Sequence, residues 1–288
     1  MSLLLGSIGF GLVTAAVLAI AAVGFTMQFA VTDVLNLAYS GVMIVSAYAA
    51  YAVNNAGASI WFGIVAAVIA GALLSVILNK FIYTPFQRRG TTGVTMVIVT
   101  LGITLILTFG LQAVVGGTNV SYNMSQPASS NFAGLQLTWV QVTIIAASLV
   151  VMAGIHGLLR YTKLGKAMRA TAANRPLARN SGIRTERVVT ATWAITGGLC
   201  GLSGTIFAID AGSFGATSTQ LFLVLILAAV FLGGPGQPYG AMLGALIIGL
   251  ATEVSANYIA SDYKDVIAFL LLFAMLAWRP SGLLGART

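Results

Sequence analysis

The chain has 288 residues, of which 58% are hydrophobic and only 7% are charged. A soluble protein of this length needs many more charged side chains to cover its surface, so the composition excludes an ordinary soluble domain. The formal net charge is +8, but more than half of the Lys and Arg side chains lie in one segment, residues 160–187. The rest of the chain therefore offers no basic surface for a nucleic acid, and we expect no nucleic-acid partner.

Long apolar runs predict an all-α, polytopic membrane protein. Several of them reach about 18 residues without a charge, which as helix is enough to cross ~30 Å of hydrocarbon. They are continuous rather than alternating, which argues against a β-barrel. We predict one membrane domain over residues 1–288, with eight or nine crossings. The apolar runs cover residues 7–31, 37–53, 60–78, 94–115, 140–159, 188–209, 221–232, 241–250 and 266–278.

The basic residues predict which loops face the cytoplasm. Lys80, Arg88 and Arg89 follow the third apolar run, and residues 160–187 follow the fifth. Lys and Arg concentrate in cytoplasmic loops, so both segments are expected inside the cell. The uncharged loop 116–138 between them is then expected outside, and so are the polar stretches 210–220 and 262–265. There is no Lys or Arg before Lys80, so we expect the first run to be a membrane helix rather than a cleaved signal peptide.

The late part of the chain predicts discontinuous helices. The run 221–232 has 12 residues, too few to span a bilayer unassisted. It is followed by GGPGQPYG at residues 233–240. Free backbone groups in such a break must face protein or water rather than lipid. We interpret the break as a turn between two half-helices, with a gate as the less favoured alternative.

The residues that catalysis or metal binding requires are sparse. The chain has one Cys, Cys200, and one His, His156, and its few acids are scattered. They offer no disulfide within one chain, no metal site and no paired catalytic constellation. We therefore expect neither a catalytic residue nor a metal site, and an intramembrane enzyme is disfavoured.

Residues 160–187, which we call the basic loop, are predicted to form a helix–turn–helix. Thr162 can cap a helix over residues 163–173, because its hydroxyl can accept a free N–H of the first turn. Asn174 and Pro176 break that helix, and Pro176 can open a second one because its missing N–H costs nothing there. Gly182 can close the second helix in a left-handed conformation. The alternative is a solvated loop that obeys the positive-inside rule and touches anionic lipid.

Four motifs carry a resemblance to a known family. In chain order they are LNLAYSG (35–41), LGKAMRATAANRPLARNSGI (164–183), FLGGPGQPYGAMLGALIIG (231–249) and RPSGLLG (279–285). Together they resemble the permeases of bacterial ABC importers of the branched-chain amino acid (LivH) type. The second motif resembles the ATPase-coupling loop of that family. The resemblance covers most of the chain.

The resemblance implies a subunit that does not hydrolyse ATP itself. Gly165-Lys166 is followed by Ala167, so the phosphate-binding pattern G-x-x-x-x-G-K-[ST] does not occur. ATP and Mg would then be bound by two cytoplasmic ATPase subunits, and this chain would bind no cofactor. A second permease subunit and an external solute-binding protein would complete a transporter of the bacterial inner membrane. The residues expected to shape the contact with the ATPase are Leu164, Gly165, Arg169, Ala173, Pro176 and Gly182.

The early motif departs from the family pattern at one point. Where the family commonly shows His-Gly and an acidic residue, this chain has Tyr39, Ser40 and Gly41, so no titratable role is carried over; Asn36 does match. Polar groups and glycines at or near the spans are candidates for the translocation path. For the acids the alternative is a position at the membrane interface, and for Asn36 it is a hydrogen bond between helices. The path candidates are Asp33, Asn36, Tyr39, Gly233, Gly234 and Glu253.

Alternatives remain for the cargo and for the type of transporter. Urea or short amides, which relatives of this type carry, are the second choice of substrate after branched-chain amino acids. A stand-alone channel or secondary transporter is a further alternative, and the basic loop distinguishes it. Without an ATPase to dock, that loop would tolerate charge reversal without loss of transport.

Overall fold

The structure, a computed structural model, describes residues 2–91, 93–124, 130–132, 135–256, 264–279 and 281–285. These residues are almost entirely helical, apart from one antiparallel hairpin of Ser130–Phe132 (β1) and Leu135–Leu137 (β2). The α-helices are α1 Ser2–Thr32, α2 Tyr39–Asn55, α3 Ile60–Leu78, α4 Thr84–Arg88, α5 Gly93–Val115, α6 Trp139–Tyr161, α7 Lys163–Ala173, α8 Arg175–Asn180, α9 Thr185–Ala211, α10 Thr219–Gly233, α11 Pro238–Ser255 and α12 Lys264–Trp278.

The helix lengths support a multi-pass membrane protein. Within the described ranges, six helical stretches are long and apolar enough to cross a bilayer: Gly6–Thr32, Ile60–Arg88, Gly93–Val115, Trp139–Tyr161, Thr185–Ala211 and Pro238–Ser255. The apolar helices Thr219–Gly233 and Val266–Trp278 are shorter. The predicted helical membrane architecture is thus confirmed, whereas helix length alone supports six crossings rather than eight or nine. Residues 257–263, which include the first half of the stretch 262–265 that is expected outside, lie beyond the described residues.

The chain divides into two compact units. The terminal unit comprises Met1–Thr26, Met124–Val151 and Leu221–Thr288, and the middle unit comprises Met27–Asn123 and Met152–Gln220. Each unit combines segments that are distant in sequence. The basic loop and the early motif both lie in the middle unit, whereas the Gly-rich late motif and the chain ending lie in the terminal unit.

Close backbone contacts between α3 and α9 form the core of the middle unit. A Cβ atom built on Gly71 would meet the carbonyl oxygen of Gly197 at less than 3.0 Å, and one on Gly201 would similarly meet the carbonyl of Ala67. A Cβ on Gly204 would stand 2.5 Å from a backbone oxygen of α2. Small residues permit this close approach of the helices. In lipid the hydrophobic effect does not drive helix association, so dispersion contacts between the closely packed backbones stabilise it. The glycines of α9 are therefore packing residues.

One end of the middle unit is closed by the loops expected outside the cell. The Tyr122 hydroxyl donates to the carbonyl oxygen of Ala47 at 3.0 Å, and its ring packs on Phe214 at 5.2 Å between centroids. The backbone N–H of Asn123 donates to the Asn54 side chain at 2.7 Å. Burial raises the pKa of the Tyr122 phenol, so the group stays protonated and remains a donor at neutral pH. The hydrogen bonds join α2 to the loop 116–138, and the ring contact joins that loop to the stretch 210–220.

The third helix continues beyond the predicted end of its apolar run. After α3 the chain forms a π-helical segment, Asn79–Tyr83, and then α4, so that helical structure reaches Arg88. Pro85 accounts for the change of winding, because it lacks the N–H that would bond to the carbonyl of Phe81 in a regular α-helix. The Gln87 side chain donates to the carbonyl oxygen of Thr32 at 3.3 Å and holds this extension against the end of α1.

The terminal unit is built on contacts between α1 and α11. A Cβ on Gly249 would lie 2.6 Å from the Ala15 backbone, and one on Gly11 would lie 3.1 Å from Leu250. On α6 of the same unit, the Ser148 hydroxyl donates to the carbonyl of Ala16 at 3.0 Å. Glycine in α1 and α11 therefore serves the same packing purpose as in α3 and α9.

The Gly-rich late motif and the chain ending meet in the terminal unit. The N–H of Leu283 donates to the carbonyl of Leu232 at 2.9 Å, and the N–H of Leu284 donates to the carbonyl of Gly233 at 3.1 Å. These carbonyls belong to the last turn of α10, where helical partners are missing. The chain ending thus caps α10, and the turn 234–237 leads directly into α11, as predicted for two helices joined by a break.

Candidate functional site: the basic loop and the polar turn after α1

The first helix of the basic loop begins as its sequence predicts. The Thr162 hydroxyl accepts a hydrogen bond from the N–H of Gly165 at 3.0 Å, which satisfies one free donor of α7. The same hydroxyl donates to the carbonyl oxygen of Leu158 at 2.6 Å. Thr162 therefore ends α6 and begins α7 at once, and it sets the angle between the membrane helix and the loop helix.

One face of α7 is anchored to its own unit. Gly165, Met168 and Thr171 are buried. A Cβ on Gly165 would lie 2.6 Å from the Cα of Leu159, so no larger residue fits where α7 crosses the end of α6. Gly165, which is expected to shape the contact with the ATPase, is buried against the preceding membrane helix.

Arg169 also bonds inward. Its guanidinium donates to the carbonyl oxygen of Leu159, in the last turn of α6. A cation is favourable there because the last carbonyls of a helix carry partial negative charge. The side chain nonetheless remains exposed to solvent. Arg169 therefore links α7 to α6, and its side chain is also accessible to solvent.

The second helix of the basic loop is bounded by the predicted break and cap. The Asn174 side chain accepts from the N–H of Leu177 at 2.9 Å, so α8 begins at Arg175, with Pro176 in its first turn. At the other end, Gly182 has φ +85°. Its N–H donates to the carbonyl of Arg179, and the next N–H donates to the carbonyl of Ala178. This pair of bonds is a Schellman motif, which needs the left-handed glycine.

The outward face of the basic loop combines small, apolar and basic groups. Ala173, Pro176 and Gly182 are exposed, and Leu164 is half-buried. Leu177 leaves 63% of its surface exposed although it is a large apolar residue. Exposed basic side chains surround this face: Arg160, Lys163, Lys166, Arg175, Arg179, Arg184 and Arg187. This face therefore presents one large apolar side chain to solvent within a positively charged loop.

The polar turn after α1 places Asp33 and Asn36 in different environments. Asp33 is exposed and has φ +54°, and its N–H donates to the carbonyl of Phe29 at 2.8 Å, so it ends α1. Asn36 is buried, and its side-chain oxygen accepts from the N–H of Ala38 at 3.1 Å and from the Tyr83 hydroxyl at 3.0 Å. The alternative of a hydrogen bond between helices is therefore realised for Asn36.

The remaining path candidates are distributed over both units. Tyr39 is buried in the middle unit, where its carbonyl oxygen accepts from the Cys200 thiol at 3.2 Å. Gly233 and Gly234 form the junction that the chain ending caps, and Glu253 accepts from the Thr14 hydroxyl at 3.2 Å. The structure thus groups Asp33, Asn36 and Tyr39 on one short segment of the middle unit and the other three candidates within the terminal unit.

Comparison with known proteins decides the family. Residues 7–276 match the family described as branched-chain amino acid transport system, permease component. The chain belongs to this permease family.

The sequences of individual relatives align with nearly the whole length of this permease. It is 26% identical to the high-affinity branched-chain amino acid transport system permease protein LivH of Escherichia coli (strain K12), over 93% of this chain and 91% of the relative. The corresponding protein BraD of Pseudomonas aeruginosa is 24% identical, over 96% and 94%. LivM, a second permease protein from Escherichia coli (strain K12), is 26% identical, over 91% of this chain and 66% of LivM.

Two features of the permease escaped the sequence analysis. No local signal marks Leu177, because only its exposure in the folded loop makes it notable. Tyr83 lies in the segment expected to be a cytoplasmic loop, but it is buried, bonds to Asn36 and stacks on Trp193 at 4.9 Å between ring centroids. No local pattern marks Tyr83, since both partners are distant in sequence.

Proposed function

We propose that this permease is the membrane subunit of an ABC importer that takes up branched-chain amino acids, and that the basic loop is its dock for an ATPase. The observation that carries the proposal is the two-sided construction of the loop. One face of α7 is buried against the permease, whereas α8 exposes Leu177 within a loop whose basic side chains are also exposed. Such a loop can transmit force, because it is rigidly attached to α6 at Thr162 and Gly165 and accessible on its opposite side.

The proposed division of labour assigns ATP hydrolysis to other subunits. The chain has no P-loop pattern, so two cytoplasmic ATPases would bind ATP and Mg, and this subunit would bind neither. A second permease subunit of the LivM kind would complete the pathway, and an external solute-binding protein would deliver the substrate. LivH and LivM are both permease proteins of the high-affinity branched-chain amino acid transport system, which supports the pairing of two permeases.

We assign nine crossings within a single membrane domain of the bacterial inner membrane. The crossing helices would be α1, α2, α3, α5, α6, α9, α10, α11 and α12. Support for α2, which has only 17 residues, comes from its two ends. Its last turn meets the uncharged loop 116–138 at Asn123, whereas the end of α1 just before it is held by Gln87, in the segment that carries Arg88 and Arg89. A helix joining those two sides must cross.

The translocation path remains part of the proposal. Asp33, Asn36 and Tyr39 would contribute from the middle unit, and Gly233, Gly234 and Glu253 from the terminal unit. Because Asn36 and Tyr39 are buried among their own helices, they would shape the path by positioning α1 and α2 rather than by contacting the substrate. Glu253 is the acidic candidate with a side chain only partly buried, so it can reach water. A zwitterionic substrate would pass such weakly polar groups without being held tightly.

The test uses the solubilised transporter and surface variants of the basic loop. Replacement of the whole loop would also remove buried Met168 and Thr171, so point changes at exposed positions are sharper. Leu177→Glu and Arg175→Glu alter the outward face and leave the buried face untouched. We expect both to reduce co-purification of the ATPase and ATP-driven uptake. Arg89→Glu, the same charge reversal at an exposed site on the other cytoplasmic loop, is the matched control.

Each outcome bears on the proposal. Retention of the ATPase by both loop variants, with normal uptake, would refute the dock. Uptake by wild-type protein without any co-purifying ATPase would favour a channel or secondary transporter. The cargo is tested by competition: radiolabelled leucine uptake should fall in the presence of valine or isoleucine, and competition by urea or acetamide alone would assign the second substrate class.

A further inference from the structure

The π-helical segment Asn79–Tyr83 is an irregularity in an otherwise continuous membrane helix. A π-turn accommodates one more residue than an α-turn and loses some packing and hydrogen-bond quality, and such turns are frequent at functional sites. Here it lies between α3 and α4, close to the cytoplasmic Arg88. It allows α4 to change direction relative to α3 without breaking the chain.

Tyr83, the last residue of this segment, has two long-range partners. Its ring stacks on Trp193 of α9, with 4.9 Å between centroids and 25° between planes. Its hydroxyl donates to the side-chain oxygen of Asn36 at 3.0 Å. Tyr83 is fully buried, so both contacts are well shielded from water. One side chain therefore joins α9 to the turn between α1 and α2.

Trp193 is directly connected to the basic loop. Helix α9 begins at Thr185, three residues after the Gly182 cap of α8, and runs without interruption through Trp193. The eight intervening residues make about two helical turns, a rigid lever of roughly 12 Å. A rotation of the basic loop is thus transmitted to the Tyr83 ring through continuous helix.

Asn36 is the residue of the α1–α2 turn to which the Tyr83 hydroxyl donates. Besides Tyr83, it bonds to the Gln28 side chain at 3.4 Å and to the N–H of Ala38 at 3.1 Å. The neighbouring carbonyl of Leu35 accepts from the Thr100 hydroxyl of α5 at 3.2 Å. Any displacement of Asn36 must therefore move the end of α1 and the beginning of α2 together.

Two buried donors in this cluster indicate a second arrangement. Within the described part of the chain, Gln28 Nε2 and Trp193 Nε1 are buried and have no hydrogen-bond partner. Buried donors are nearly always bonded, and an unbonded one calls for an explanation. Both lie on residues that contact Asn36 or Tyr83, so a shift of the cluster could provide them with acceptors.

We propose that the π-helical segment is a hinge and that Tyr83 is the positioning residue that couples α9 to the α1–α2 turn. The proposal rests on the proposed function, since it supplies the step between ATPase docking and movement of the membrane helices. In one state Tyr83 bonds to Asn36, as here. In the other state the segment adopts α-helical winding and the Tyr83–Asn36 hydrogen bond is lost. The unsatisfied donors of Gln28 and Trp193 then form hydrogen bonds.

The experiment compares two tyrosines in the complete transporter reconstituted in proteoliposomes. Tyr83→Phe keeps the ring that stacks on Trp193 and removes only the hydroxyl. Tyr122→Phe makes the same change at a half-buried tyrosine whose hydroxyl bonds to the carbonyl of Ala47. We expect uptake per ATP hydrolysed to change roughly five-fold in Tyr83→Phe, the effect of one hydrogen bond on a two-state equilibrium, and to stay at the wild-type value in Tyr122→Phe.

The outcomes separate failure of the hinge from failure of the proposed function. If wild-type proteoliposomes show no ATP-driven uptake, the proposed function is wrong. If they do, and Tyr83→Phe matches wild type or both variants change equally, the hinge is wrong. A second variant deletes Phe81, which is exposed, and so restores α-helical winding. We expect this variant to retain the ATPase and lose uptake, and wild-type uptake would also overturn the hinge.

Discussion

Gly71 of α3 and Gly197 of α9 lie backbone to backbone. A Cβ atom on either residue would stand less than 3.0 Å from the carbonyl oxygen of the other. The two helices approach so closely only because both positions lack a side chain. The contact lies in the same unit as the basic loop, and α9 continues directly from that loop. The contact therefore affects both the stability of the middle unit and the movement of α9.

The α3–α9 contact predicts that Gly71→Ala destabilises the permease by about 1–3 kcal/mol, because an added methyl group must push two backbones apart. The measurement is thermal unfolding of the purified protein in detergent. Gly110→Ala on α5 is the control, since a Cβ there meets nothing within 4 Å. An equal loss of stability in the two variants would contradict the close contact.

Asn36 predicts a second stability difference. Asn36→Ala removes the acceptor of the Tyr83 hydroxyl and of the Ala38 N–H and leaves both groups buried. Each buried unsatisfied group costs about 1–3 kcal/mol, so we expect a marked fall in the unfolding temperature. Asn55→Ala, at an exposed position at the end of α2, should leave the temperature nearly unchanged. An unaltered Asn36→Ala protein would argue that the hydrogen-bond cluster contributes nothing to stability.

Arg169 and Gly182 predict defects in coupling. Arg169→Glu places a negative charge beside the carbonyls at the end of α6, where a cation is favoured. Gly182→Pro cannot adopt the positive φ of the Schellman motif and removes its N–H donor. We expect both variants to lose substrate-stimulated ATP hydrolysis in the assembled transporter. Arg89→Glu should retain it, and normal stimulation in Arg169→Glu and Gly182→Pro would remove both residues from the coupling mechanism.

The contact between the chain ending and α10 predicts a difference between two glycines. Gly282 and Gly57 both have positive φ, so alanine at either position carries strain of about 1–2 kcal/mol. A Cβ on Gly282 would in addition collide with the backbone of Gly234, whereas one on Gly57 would meet nothing within 4 Å. We expect faster hydrogen exchange at the Leu283 and Leu284 amides in Gly282→Ala only. Unchanged protection there would show that the ending does not depend on this close contact.

Local signals account for what could be predicted of the basic loop. A threonine before the first helix, the Asn174 and Pro176 break and a left-handed Gly182 each act within about four residues of chain, so sequence alone locates both short helices. Which of these residues are buried cannot be predicted from such local signals. Sequence alone does not show that Gly165 is buried against α6 or that Arg169 bonds to α6, because both depend on the angle at Thr162, which turns that face of α7 inward.

The sequence by itself determined that the protein crosses a membrane, which loops carry the positive charge and where the loop helices begin and end. These properties follow from hydrophobicity, charge and backbone preferences, which are local. Only the tertiary structure decided that Tyr83 reaches Asn36 across 47 positions and Trp193 on α9, and that the chain ending caps α10. Such contacts depend on how helices pack, and membrane helices pack through backbone proximity and shape, to which residues far apart in the chain contribute jointly.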